Sequence, residues 1–90
     1  MILAKVIGNV VATTKNELLV GEKFLILTPL TPEGDPRGET VVAIDNIGAG
    51  NGEIVLACRG SAARKISIQE GAPVDYAVVA IVDEVKVYGR

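Results

Sequence analysis

The run Gly48-Ala49-Gly50-Asn51-Gly52-Glu53 has the outline of a loop that cradles phosphate in backbone amides. Such a loop needs a further glycine at a set interval and then a helix whose N-terminus faces the phosphates. Here that position holds Glu53, whose carboxylate repels phosphate, and the residues that follow, Ile54 to Ala57, read as an apolar strand. Glycine also serves where the backbone takes a positive φ or where another chain comes very close. Gly48 to Gly52 therefore reads either as a tight structural corner or as a loop that sits close to symmetry-related copies of itself.

Other chemistries lack their parts as well. The chain has no histidine, which removes Ser-His-Asp and Cys-His nucleophiles and imidazole metal ligands. Ser61 has no base to activate it and reads as a helix cap. The single cysteine, Cys58, has no internal disulfide partner and falls inside an apolar strand. It reads as a small buried hydrophobe, with a reducing cytosol as the default compartment. Carboxylates and lysines remain, but no paired spacing of Asp and Glu recommends acid–base catalysis, and no cofactor or metal site is expected. Arg59 and Arg64 flank the Gly60-Ser61 turn. They are either solvated surface charges or partners for Glu53 or Asp45 across a boundary between subunits, because a guanidinium fork binds carboxylates bidentately. Asp83 interrupts an otherwise apolar run, either at a strand's exposed end or in an ion pair. Asp45, Glu53, Arg59, Ser61, Arg64 and Asp83 are thus the candidate subunit-interface residues.

The elements that must hold these residues are mostly strands. Ile2 to Thr13 is apolar and β-branched, with a bend expected at Gly8. Lys15-Asn16-Glu17 is a polar turn, and Lys23 to Leu30 reads as a second strand with Phe24 and Ile26 on one face and Leu25 and Leu27 on the other, the pattern of a strand covered on both sides. Thr31 to Gly38, with two prolines and two glycines, is a hairpin connection. Thr40 to Ile44 and Glu53 to Cys58 follow as strands. Ser61 to Ile66 is the one good helix signal, and Ala77 to Val87 forms a long last strand. Five strands without long intervening helices predict an antiparallel all-β fold, closed as a small barrel with the helix plugging one end.

Ninety residues make one domain, spanning 1–90. A chain this short has a modest core, yet 49% of it is hydrophobic. The surplus apolar surface points to association with other copies. A spanning helix needs about 20 apolar residues, longer than any uncharged run here, and Met1 to Val6 does not read as a signal peptide. A net charge of −2 and three aromatics, Phe24, Tyr76 and Tyr88, give no footprint for nucleic acid.

Several segments, in order, resemble the bacterial microcompartment vertex proteins, the EutN/CcmL family. The opening Met1-Ile2-Leu3-Ala4-Lys5-Val6-Ile7-Gly8-Asn9-Val10-Val11-Ala12-Thr13 looks like the family's first strand. Asp45-Asn46-Ile47-Gly48-Ala49-Gly50-Asn51-Gly52-Glu53-Ile54-Val55-Leu56 is similar to its glycine-rich core, and Gly60-Ser61-Ala62-Ala63-Arg64 to its Gly-Ser-Ser-Ala-Arg turn, with Ala62 replacing a serine. Lys23 to Leu30, Ala72 to Asp75 and Ile81 to Asp83 also match. The resemblance implies an OB-like five-stranded barrel assembling as a cyclic homopentamer. It implies a non-catalytic structural role at the fivefold vertices of a cytoplasmic protein shell, beside hexameric and trimeric shell proteins. It also implies that Gly48, Ala49, Gly50, Asn51 and Gly52 lie at the fivefold axis, around a small pore. No nucleic acid, membrane or small-molecule substrate is expected. The alternative reading is an OB-like module for single-stranded nucleic acid.

Overall fold

Apolar alternation along the first strand decides how the barrel closes. In β1 (Ile2–Val10), Ala4 and Val6 point inward and are fully buried, while Lys5 and Ile7 face outward. The computed structural model describes residues 1–13, 15–67 and 71–89. Within it, β1 is followed by β2 (Phe24–Pro29), β3 (Val41–Ile44), β4 (Ile54–Arg59), the helix α1 (Ser61–Ile66) and β5 (Tyr76–Val82). The strands form a closed barrel in the order β1-β2-β3-β5-β4.

β1 serves two partners, β2 along its length and β4 through its first half. It manages both by bending. The register with β2 slips between Val6 and Gly8, leaving Ile7 as the extra residue of a bulge at the expected bend. A second slip, between the pairs Leu56–Ala80 and Ala57–Val78, leaves Val79 as the extra residue of β5. Ahead of it Val78 faces the barrel interior and Ala77 the core beneath α1, so both are buried.

The interior is lined by small and medium side chains. Ala4, Val6, Leu25, Leu27, Ala43, Val55, Ala57 and Val78 form one cluster. Ile44, Cys58, Ala63, Ala72, Val74 and Ala77 form a second, beneath α1. α1 packs on β4 and β5 through Ala63, and so covers one end of the barrel as expected. Cys58 is buried in this second cluster as a small hydrophobe.

Four features depart from the sequence reading. The seam between β3 and β5 is parallel, a single pairing of Ile44 with Ala77, so the barrel is mixed rather than wholly antiparallel. An odd number of strands cannot close with every neighbour antiparallel. The last strand stops at Val82 rather than Val87: its ladder partner β4 begins at Ile54, opposite Val82, and offers nothing further to pair with. Ser61 does not cap α1. Gly60 occupies the cap position with φ 68° and ψ −139°, and no side chain bonds the first amides. That backbone conformation suits only glycine, so the chain turns at Gly60 and Ser61 falls inside the first turn. A short 3-10 turn at Glu17–Leu19, capped by the Asn16 side chain accepting from the Leu18 amide at 2.8 Å, fills what reads as a plain polar turn.

Leu27 is fully buried at the barrel's centre, and the interior cannot collapse around a deletion without breaking a ladder. Leu27→Ala is expected to cost about 2–5 kcal/mol, measured by urea unfolding followed by circular dichroism.

Candidate functional site

The glycine loop joins β3 to β4, and a buried carboxylate organises it. Asp45 is only 3% exposed. Its own amide donates to the Lys23 carbonyl at 2.9 Å, extending the β2–β3 ladder by one bond. Its side chain turns back into the loop. Oδ1 accepts from the Ile47 amide at 3.0 Å, Oδ2 from the Ala49 amide at 2.9 Å, and the Gly48 amide is shared between them at 3.2 and 3.1 Å. An aspartate favours this arrangement because its short side chain reaches the amides two to four residues on. Asn46 ties the same corner to the helix, its Nδ2 donating to the Ile66 carbonyl at 2.9 Å.

The second half of the loop is fixed to β1. The Gly52 amide donates to the Val6 carbonyl at 2.8 Å, and the Val6 amide to the Glu53 carbonyl at 2.9 Å. The Glu53 amide donates to the Gly50 carbonyl at 3.1 Å, and the Glu53 carboxylate accepts from the Gly50 amide in return.

The glycines meet different demands. Gly48 and Gly52 hold φ of 99° and 86°, the left-handed region, with open space where a Cβ would sit. Gly50 has no positive φ. A Cβ there would lie 3.2 Å from Glu53 Oε1, the movable end of a side chain. Within one subunit, then, backbone conformation requires Gly48 and Gly52, and only crowding by Glu53 acts at Gly50.

This geometry settles the phosphate question. The amides of Ile47, Gly48, Ala49, Gly50 and Gly52 are all engaged inside the chain, and Asp45 and Glu53 place carboxylates where an anion would sit. Asp45 is equally unsuited to proton transfer, since three amides hold its oxygens. What the loop does present is backbone: Gly48, Gly50, Asn51 and Gly52 are exposed, while Ala49 is half-buried against the core.

The remaining candidates separate along β4. Glu53 precedes its first residue and Asp83 follows the strand paired with that end. Arg59 closes the opposite end, followed by Ser61 and Arg64 in α1. Six residues of strand span about 20 Å, so Glu53 and Arg59 do not meet within one subunit. The Arg59 guanidinium lies over the Tyr76 ring, 5.8 Å from its centre. Ser61, Arg64 and Asp83 are exposed, and among the described residues neither Arg59 nor Arg64 has a carboxylate within ion-pair distance.

One buried group escapes sequence reading. Glu22 is 8% exposed, one carboxylate oxygen accepts from the Ser67 hydroxyl at 2.8 Å, and the other has no hydrogen-bond partner among the described residues. It lines a cleft of about 450 Å³ with Lys15, Lys23 and Asp45. Nothing in Gly21-Glu22-Lys23 distinguishes this acid from a solvated one, because its burial depends on Ser67, 45 residues away.

Loss of the Asp45 side chain leaves three loop amides without their acceptor. Asp45→Ala is expected to speed hydrogen exchange at Ile47, Gly48 and Ala49 at least about tenfold while amides of β1 stay protected. Gly48→Ala, forced into a left-handed conformation, is expected to cost about 1 kcal/mol or more and Gly50→Ala less, as read by urea midpoints.

Known proteins share this arrangement. The model of the family described as "Ethanolamine utilisation protein EutN/carboxysome" matches residues 1–83. The shell vertex protein GrpN of Rhodospirillum rubrum is 50% identical over 86 residues, covering 96% of this chain and 97% of that protein. The shell vertex protein EutN of Escherichia coli K12 is 48% identical over 85 residues, covering 94% and 90%. The solved structure of the R. rubrum GrpN pentameric microcompartment shell protein superposes with a TM-score of 0.88 at 48% identity, over 99% of this chain and 100% of that one.

Proposed function

The chain belongs to the EutN/CcmL family, and from that membership we propose that residues 1–90 act as one vertex domain, a non-catalytic structural subunit. It assembles as a cyclic homopentamer and caps the fivefold vertices of a bacterial microcompartment, within a shell in the cytoplasm that hexameric and trimeric shell proteins complete. A match along nearly the whole of both chains to a pentameric shell protein, at 48% identity and a TM-score of 0.88, carries this reading.

The physical chemistry of the subunit supports it. Ile7, Val11, Val20, Val42 and Ile47 are about half exposed or more, an apolar exterior larger than an isolated small domain favours. The two ends of β4 differ in charge, with Glu53 and Asp83 at one and Arg59, Arg64 and Lys65 at the other. Unlike, complementary surfaces make the head-to-tail contacts from which closed rings are built. In this reading Arg59, Ser61 and Arg64 of one copy face Glu53 and Asp83 of the next, while Asp45 contributes indirectly by holding the loop.

Gly48, Ala49, Gly50, Asn51 and Gly52 then line the fivefold axis. Small residues at Gly48, Gly50 and Gly52 let five loops approach one another, and internal hydrogen bonds keep the loop ordered without a partner. A nucleic-acid role draws little support: Phe24 packs against the second core cluster and Tyr76 is half-buried under Arg59, which leaves Tyr88 as the one exposed ring on a chain of net charge −2.

Native mass spectrometry at low micromolar concentration is expected to show five 9.4 kDa subunits together, about 47 kDa. A monomer or dimer as the sole species would count against the ring. Arg64→Glu is expected to shift the population toward monomer while changing the subunit's unfolding free energy by no more than about 0.5 kcal/mol, since surface substitutions rarely do more. An unchanged pentamer would place Arg64 on free surface.

A further inference from the structure

After β5, residues 83–89 pair with no strand of their own subunit among the described residues, yet alternate apolar and polar side chains as a strand would. Glu84 and Lys86, two residues apart, come within 3.8 Å of each other, which places them on one face of an extended chain. Val85 and Val87 take the opposite face, 42% and 40% exposed, and Tyr88 is 82% exposed. No ladder continues past Val82. The molecule measures 46 × 23 × 22 Å. Seven extended residues reach ~23 Å, the amount by which the long axis exceeds the others. An apolar-polar alternating strand with unpaired backbone groups is a ready partner for another sheet edge.

A matching edge exists on the barrel. β3 is laddered to β2 along its whole length, but on its other side only Ile44 is paired. Val41, Val42 and Ala43 have no partner strand there, and Val42 is half exposed. Clefts of about 490 and 290 Å³ run beside this edge and meet at Tyr76, which lines both. Arg37 stands in the first cleft, near Val41, and Asp75 in the second, near Ile44. With a tail running parallel to β3, the order of charges brings Glu84 toward the cleft that holds Arg37 and Glu39, and Lys86 toward the one that holds Asp75.

We propose that residues 83–89 of one subunit dock as an added strand along the β3 edge of the neighbouring copy, with Val85 and Val87 seated in the cleft beside Val42. This rests on the ring reading above and names a contact that holds the ring. Strand addition of this kind draws affinity from main-chain hydrogen bonds and specificity from alternate side chains. The contact is heterologous, tail to edge, and so is compatible with a closed ring.

Two measurements test it, with the intact chain as reference. In the first, Val42→Cys and Val85→Cys are combined and treated with a short bismaleimide cross-linker. A denaturing gel is expected to show a covalent ladder up to five subunits, whereas monomer bands alone overturn the proposal. In the second, the chain is ended after Asp83. The truncated protein is expected to keep its barrel by circular dichroism while its pentamer dissociates at a protein concentration at least about tenfold higher, a loss of about 1.4 kcal/mol. Dissociation within about twofold of the intact chain overturns the tail contact and leaves the ring reading standing. An intact chain that runs only at 9.4 kDa overturns the ring reading, and the tail contact falls with it.

Discussion

A five-stranded barrel encloses very little volume, and that limit governs the rest of this structure. The centre admits Leu27, Val6, Val55 and Val78 as its larger side chains, with Ala4, Ala43 and Ala57 between them. Close packing leaves no room for more. The other apolar residues must lie on the outside or under the helix. Some are half covered, such as Ile2, Val41 and Ile81, and others such as Ile7, Val42 and Ile47 are open to solvent. A chain that is 49% hydrophobic on so small a frame keeps its exterior out of water only by meeting other copies. Assembly is thus a consequence of closure, and the family to which the chain belongs fits that consequence.

Closure also determines where irregularity falls. β1 must serve β2 and β4 at once, which requires the bulge at Ile7, and the β4–β5 ladder takes a second slip at Val79. The parallel seam between β3 and β5 is the weakest joint of the barrel, one paired position long. It leaves an edge at β3, where a closed barrel still offers backbone to a neighbour. Barrels ordinarily remove such edges, and the retained edge, in a chain that also carries an unpaired tail, is where a second copy is proposed to dock.

At the glycine loop, the same residues that suggest a ligand cradle prove to be a self-contained corner. Asp45 supplies from within the negative charge that a phosphate would bring, and the amides that would bind an anion are already bonded. The result is an ordered loop that presents little more than backbone and one amide side chain, Asn51. Such a loop suits close approach between symmetry-related copies better than binding or turnover.

The sequence by itself determined the strands, the helix, the bend at Gly8, the buried Cys58 and the family, because each rests on local periodicity, glycine placement or ordered motifs. It also located the tight corner between β3 and β4, since Gly48 and Gly52 are needed for their own backbone angles, a local property. Only the tertiary structure decided what depends on distant partners. Whether Val85 and Val87 belong to a strand turns on where β4 begins, not on their own alternation. Asp45 faces its loop rather than an arginine because the barrel end buries it. Glu22 is buried by Ser67, far along the chain, and the parallel seam follows from closing an odd number of strands. Ladder partners and burial are set by the whole fold, so no window of sequence contains them.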